Sequence, residues 1–319
     1  MKAIVLLNGA AGTIAAWDRS RGDSAVAEAL AAAGIDAEIR LIPGADLQSA
    51  ATIALSSNID VLIVGGGDGT LSTVAGVLAD QRVPLGILPL GTLNHFAKDL
   101  GIPLDLGAAA KVIAANHVMQ IDVGELNGRV FVNNSSLGIY PYMVRDRDAQ
   151  RKRHGFSKWV AMLYAMLKVF RRFPLVEVKL TTDTASSLRK TPLVFVGNNR
   201  YQLDLFNLGT RACLDRGELS LYVANAQSRW GMFKLIVRAM CGSLQQARDF
   251  ETLCLTNCTI GARRHHLHVA ADGEVLGLKP PLHYCIRPGA LRVCVPRTTA
   301  HTLTGTDELP DSPIVEQMP

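Results

Sequence analysis

Val61-Leu62-Ile63-Val64-Gly65-Gly66-Gly67-Asp68-Gly69-Thr70 is the stretch on which the reading of the whole chain turns. Its first four residues are leucine or β-branched, which suits a strand buried on both faces, and Leu71 to Leu78 then takes helical spacing. Between strand and helix lies a turn with four glycines, so backbone N–H groups can approach an anion closely. The start of the following helix adds roughly half a positive charge. The expected feature is a phosphate cradle. Asp68 needs a reason of its own, because a carboxylate beside a polyphosphate is repelled unless a divalent cation lies between them.

Working outward, Ala3 to Leu7 reads as a strand that runs into a second small-residue turn, Asn8 to Thr13. A helix over 24–34 closes on Gly34, a strand follows at Asp36 to Ile42, and a helix over 46–55 leads into the glycine stretch. Downstream, Val83 to Leu88 is another strand, and Pro89 to Asn94 opens the next helix. Alternating strands and helices predict a parallel sheet covered on both faces, with ligands beyond the carboxyl ends of the strands. The turns at 8–13, 65–70 and 89–94 all fall at such ends, so they are expected to meet in one crevice.

The grammar changes near residue 124. Arg129 to Ser135, Val176 to Thr182, Pro192 to Val196, Glu218 to Ala224, Leu253 to Ile260, Leu267 to Ala271, His283 to Ile286 and Leu291 to Val295 read as short strands separated by turn residues. Such spacing predicts an antiparallel sandwich or barrel. The division expected is therefore 1–124, α/β; 125–296, β-rich; and 297–319, a loosely held tail, part of which rejoins the first domain.

Bulk properties narrow the function. A chain of 319 residues with 48% hydrophobic content exceeds one comfortable core and supports two. The net charge of +5 suits acidic substrates or an anionic membrane surface and is too diffuse to call for nucleic acid. Six cysteines without a Cys-x-x-Cys pair suit a reduced compartment. With no signal-peptide pattern and no apolar run of about 20 residues, the expected place is the cytoplasm.

Two further stretches invite a special reading. Arg145, Arg147, Arg151, Lys152, Arg153 and Lys158 precede the apolar run Trp159 to Leu167, and Lys168, Arg171 and Arg172 follow it. This is either an interfacial helix docked peripherally on the inner face of a membrane or a core helix with solvated ends. His265, His266 and His268 near Cys254 and Cys258 suggest zinc, but both cysteines fall on one face of an extended run, and a basic hairpin is the preferred reading.

Four motifs in order, Gly66-Gly67-Asp68-Gly69-Thr70, Pro89 to Ala97, Ile121-Asp122-Val123-Gly124, and Asp272-Gly273-Glu274 with Arg287 to Leu291, resemble the diacylglycerol kinase catalytic-domain family, which includes bacterial soluble lipid kinases and sphingosine and ceramide kinases. The resemblance implies an α/β nucleotide-binding domain like that of NAD kinases and phosphofructokinases, a β-rich lipid-substrate domain, and ATP in the cleft. It implies nucleotide contacts from Asn8, Gly66, Gly67, Asp68, Gly69, Thr70, Gly91, Thr92 and Asn94. Phosphoryl transfer further needs charge neutralisation and a base. Mg²⁺ on Asp68, and through water on Asp122, would supply the first, and Glu274 the second. The acceptor implied is a diacylglycerol-like or sphingoid hydroxyl at an anionic membrane, and a homodimer is compatible with this reading.

The chain also departs from the family pattern. Gly9 and Ala11 stand where proline and serine are usual, His95 where an acid is common, and Arg216 where a ligand aspartate of a second ion site would be. An NAD kinase, sharing the glycine turn, and a nucleotide- or lipid-binding protein without turnover stand as alternatives.

Overall fold

The structure, a computed structural model, describes residues 1–9, 19–138, 141, 175–182, 185–203, 208–211, 213–226, 228, 230–231, 234, 238 and 249–297. The basic and apolar segment from Arg145 to Arg172 lies outside the described residues, as do residues 298–319 of the tail.

The strands are β1 Lys2–Asn8, β2 Asp36–Ile42, β3 Val61–Gly66, β4 Leu85–Pro89, β5 Val118–Leu126, β6 Arg129–Phe131, β7 Asn134–Gly138, β8 Val176–Thr181, β9 Ser186–Thr191, β10 Leu193–Asn198, β11 Tyr201–Leu203, β12 Leu208–Arg211, β13 Leu219–Ala224, β14 Phe250–Leu255, β15 Asn257–Ala262, β16 Leu267–Ala271, β17 Glu274–Leu278 and β18 Leu282–Cys294. The α-helices whose full extent lies among the described residues are α1 Arg19–Ala32, α2 Leu47–Leu55, α3 Asp68–Leu78, α4 His95–Asp99 and α5 Leu106–Ala114. No described helix is long and apolar enough to cross a membrane.

The first four strands pair in parallel in the order β2-β1-β3-β4. Every residue of β3 is buried, as its unbroken apolar sequence requires when helices cover both faces, whereas no residue of edge strand β2 is fully buried. Val26 and Leu30 of α1, Val74 and Leu78 of α3, and Ile113 of α5 close the core around Leu6, Ile63 and Ile87.

This sheet does not stop at the domain boundary. It continues through β18 to β15, β8 and β9, and β5 pairs along the length of β18. The two strands expected at 283–286 and 291–295 are one strand, bent where its register with β5 shifts between Arg287 and Leu291. Its last residues, Leu291, Val293 and Cys294, pack in the first core, and Leu282, Tyr284 and Ile286 pack in the second. The described return to the α/β domain is thus made by β18, and residue 124 falls inside β5.

A six-stranded antiparallel sheet, β14-β13-β10-β7-β16-β17, faces the far half of the large sheet. Val178, Ile260 and Tyr284 from one side meet Val196, Leu221 and Val269 from the other, which makes the second core a sandwich. The run expected as one strand from Leu253 to Ile260 divides at Thr256 into β14 and β15, which belong to different sheets. Cys254 and Cys258 accordingly do not share a face: the first is exposed and the second buried. Burial raises the Cys258 thiol to about 12. No group of three or more His, Cys, Asp or Glu among the described residues is placed to hold a metal ion by itself.

Candidate active site

The glycine stretch is more helical than its sequence suggests. β3 runs on through Gly66, Gly67 is the extended N-cap, and α3 begins at Asp68, so Asp68, Gly69 and Thr70 form its first turn. An acid here suits the positive helix start. Asn8, at the end of β1, donates from Nδ2 to Thr70 Oγ1 at 2.8 Å, which ties the first strand end to the second.

The third strand end closes against the same place. Leu90 N donates to Gly66 O at 3.2 Å, and a Cβ built on Gly91 would lie 2.3 Å from Gly67 Cα. Only two glycines permit this approach, and the result is a concave backbone surface that side chains would fill. Asn94, buried and left-handed at φ 51°, shapes the loop: its Oδ1 accepts from Gly91 N at 2.9 Å, and its Nδ2 donates to the Gly91 and Pro89 carbonyls at 2.9 and 3.2 Å. Thr92 is exposed at the loop tip. The Asp68 carboxylate accepts from Phe96 N at 2.9 Å and His95 N at 3.2 Å, and so holds the start of α4.

Opposite, the β16–β17 hairpin presents Asp272-Gly273-Glu274. The Asp272 carboxylate accepts from the consecutive N–H groups of Val132, Asn133 and Asn134 at 2.7, 2.8 and 3.0 Å. Burial pushes this carboxyl up, while the Ser72 hydroxyl and the backbone donors draw it back. With Asp272 anchored, Glu274 projects outward, half exposed and ion-paired with Arg129. A Cβ added to Gly69 would lie 3.4 Å from Glu274 Oε1. The carboxylate expected to act as base therefore stands against the first turn of α3, one residue from Asp68.

Asp122 has another setting. It is 1% exposed, and its carboxylate accepts from Gly217 N at 2.6 Å, Gly289 N at 2.8 Å and Asn199 Nδ2 at 3.1 Å. These bonds pin the bend of β18 and the loop before β13, and they direct the Asp122 lone pairs into the protein. In that loop, where the family pattern would put a second ion site, Arg216 N donates to Asn199 Oδ1 at 3.1 Å, and burial together with the charge of Asp122 raises the Asp215 carboxyl.

Comparisons with known proteins place the chain in a family. A family profile described as "Diacylglycerol kinase catalytic domain" matches residues 2–126, and one described as "YegS C-terminal NAD kinase beta sandwich-like domain" matches residues 143–295. A Pseudomonas fluorescens protein named "Probable lipid kinase YegS-like" is 32% identical over 276 residues, covering 85% of this chain and 90% of that one. The chain belongs to the diacylglycerol kinase catalytic-domain family. A Staphylococcus haemolyticus protein named "Diacylglycerol kinase" is 24% identical over 83% of this chain and 80% of its own length. Two solved structures share the fold: a Bacillus anthracis diacylglycerol kinase (TM-score 0.67, 23% identity, 93% of this chain and 98% of that one) and yeast NADH kinase (TM-score 0.55, 11% identity, 94% and 84%).

Some residues that build the site in this member of the lipid kinase family escape a reading of sequence. Asn198 donates from Nδ2 to the Asp122 and Val132 carbonyls at 2.9 and 3.0 Å. Arg211, its side chain fully buried, pairs with Asp99 at 2.8 Å. The Asn198-Asn199 pair closing a strand is a signal that could have been noticed. Arg211 carries no local signal, since its partners come from α4, the β6–β7 connection and the end of β10.

Proposed function

We propose that this protein transfers the γ-phosphoryl group of ATP, with Mg²⁺, to the hydroxyl of a lipid of diacylglycerol-like or sphingoid type at an anionic membrane surface. The observation that carries the reading is the meeting of Glu274 with the first turn of α3, because it sets a proton acceptor beside a cradle suited to phosphate. The name "Diacylglycerol kinase" borne by a relative supports the acceptor class. The basic run 145–172 supports docking on anionic headgroups.

The residues divide the work as follows. Gly67 and Gly69, at the start of α3, would offer backbone N–H groups to the phosphates, Gly66 and Gly91 give the room, and Asn8, Thr70 and Asn94 fix the shape of the cradle. Asp68 stays at the rim, partly exposed, and would hold a Mg²⁺ ion, a cation that needs few protein carboxylates. Once bound, that ion would neutralise charge on the transferring group. Asp122 holds loops in this scheme and leaves the metal to Asp68. Glu274 accepts the proton of the lipid hydroxyl as the new oxygen–phosphorus bond forms and the bond to the ADP oxygen breaks. Arg129 keeps Glu274 aimed at the cradle until substrate arrives.

The test is a transfer assay with labelled ATP and a total lipid extract, resolved by chromatography, with NAD offered separately. Glu274→Gln keeps the shape and loses the basic oxygen, so kcat on the best lipid should fall by at least ~10²-fold while the Kd for ATP changes little. Turnover that persists within a few-fold removes Glu274 from the role. A wild-type protein that binds ATP and phosphorylates no lipid overturns the reading, and phosphorylation of NAD replaces it with a dinucleotide kinase.

A further inference from the structure

The buried pair of Asp99 and Arg211 lies outside every motif discussed so far. Asp99 ends α4, Arg211 ends β12, and their side chains are 3% and 0% exposed. Four of the five guanidinium N–H donors are placed: Nε donates to Asp99, Nη1 to the Val132 and Asn198 carbonyls at 2.6 and 3.2 Å, and Nη2 to Asn133 Oδ1 at 3.0 Å. Its carbon stands 5.4 Å from the centre of the Tyr201 ring.

Followed residue by residue, these bonds form a chain around the cleft that the close approach of Glu274 to Gly69 completes. Asp68 holds the N–H groups of His95 and Phe96 at the start of α4, and α4 ends at Asp99. Asp99 holds Arg211, and Arg211 holds Val132 and Asn133. The N–H groups of those same two residues hold Asp272, two positions before Glu274. Glu274 returns to Gly69, next to Asp68. One guanidinium thus joins the phosphate turn to the turn that carries the base.

Stability alone is a poor reason for such a pair. Burying two charges is costly, and apolar residues of the same volume often stabilise as well or better. What the fork provides is direction, because its donors reach several acceptors in fixed geometry. We propose that Asp99 and Arg211 are positioning residues that fix the Asp68 turn and the Glu274 turn in mutual register for phosphoryl transfer. The inference deepens the proposed kinase reading and rests on it for its kinetic consequence, though the mechanical coupling is measurable without any lipid.

The experiment uses the full chain with Arg211→Lys, which keeps the charge and loses the fork, and Asn133→Ala, which removes one of the two bonds from Arg211 to the 132–133 segment while leaving Arg211 paired with Asp99. Kinetics on the best lipid, ATP binding by calorimetry, and hydrogen exchange in the free protein are followed for both. Misplacement of reacting groups without loss of the cradle should lower kcat by about tenfold or more in Arg211→Lys and by less in Asn133→Ala, with the ATP Kd within about threefold. Exchange should quicken together at His95 and Phe96 and at Val132, Asn133 and Asn134. Unchanged kcat in a folded variant overturns the proposal. So does faster exchange on one side only, or a general loosening with kcat per active site preserved, which is the mark of a merely structural pair. Should Arg211→Lys fail to fold, Asn133→Ala decides by the same criteria. Should the wild type phosphorylate no lipid, the kinase reading falls, and the exchange data still decide whether the two turns are coupled.

Discussion

Two Asp-Gly turns face each other across the cleft, and they use the same dipeptide for different ends. At Asp68-Gly69 the aspartate opens a helix, accepts from two N–H groups of α4 and stays at the rim. At Asp272-Gly273 the aspartate is left-handed at φ 46°, turns inward and accepts from three consecutive N–H groups of the β6–β7 segment. The first carboxylate can therefore still serve a cation from outside. The second is spent on aiming Glu274. What an acid does in this fold is decided by how many donors the surrounding backbone turns towards it.

The sharpest test of that contrast is Asp68→Ala. It should abolish phosphoryl transfer, because the rim carboxylate is the one assigned to Mg²⁺. Stability should change little: losing the bonds to α4 costs about 1 kcal/mol, as for a lost helix cap, which lowers Tm by roughly 2–4 °C in a domain of this size. A melting curve beside the transfer assay checks both, and a collapse of Tm that explains the lost activity would erase the distinction between the turns.

Asp272→Ala should reverse the ranking. Three N–H groups lose their acceptor, at ~2–4 kcal/mol in total given partial access to water, so Tm should drop well beyond the Asp68→Ala value. Activity should fall as well, through loss of aim at Glu274. A variant that kept its Tm and lost only activity would mean that Asp272 touches substrate.

The same contrast explains what sequence could and could not reveal. The parallel strands, the glycine turn and the hairpin that carries Glu274 are legible because local patterns cause them: unbroken apolar runs, glycines where backbones touch, a turn after a strand. The start of α3 is less so, since whether Asp68 to Thr70 are turn or helix depends on Gly67 taking an extended N-cap conformation. Asp122 and Arg211 are the hardest. Their roles come from donors and acceptors many positions away, such as Gly289 N on Asp122 and Asp99 on Arg211, and no short window contains both partners. The merging of two expected strands into β18 has the same origin: Arg287 to Ala290 looks like a loop alone and becomes a bend within a strand once Asp122 holds Gly289 N.

The smallest expected effects come from the two glycines, and their opposite signs make them informative. Gly273 has φ +84° and open space around its missing side chain, so Gly273→Ala meets no neighbour and bears only the cost of a left-handed alanine, roughly 1–2 kcal/mol. Gly69 sits in the first turn of α3, where alanine is the better helix former by about 0.5–1 kcal/mol. Its Cβ would stand 3.4 Å from Glu274 Oε1, an ordinary van der Waals contact that sets a methyl group against the carboxylate and spares the fold. Gly69→Ala should then hold or slightly raise Tm and slow kcat by about threefold to tenfold, as a small displacement of the base would. Gly273→Ala should lower Tm with a similar or smaller loss of rate. Thermal melts and steady-state kinetics on the pair separate the outcomes. A Gly69→Ala protein that melts below Gly273→Ala, or that turns over at the wild-type rate, would mean that Glu274 does not rest against the phosphate turn in solution, and the two turns would have to be read as independent.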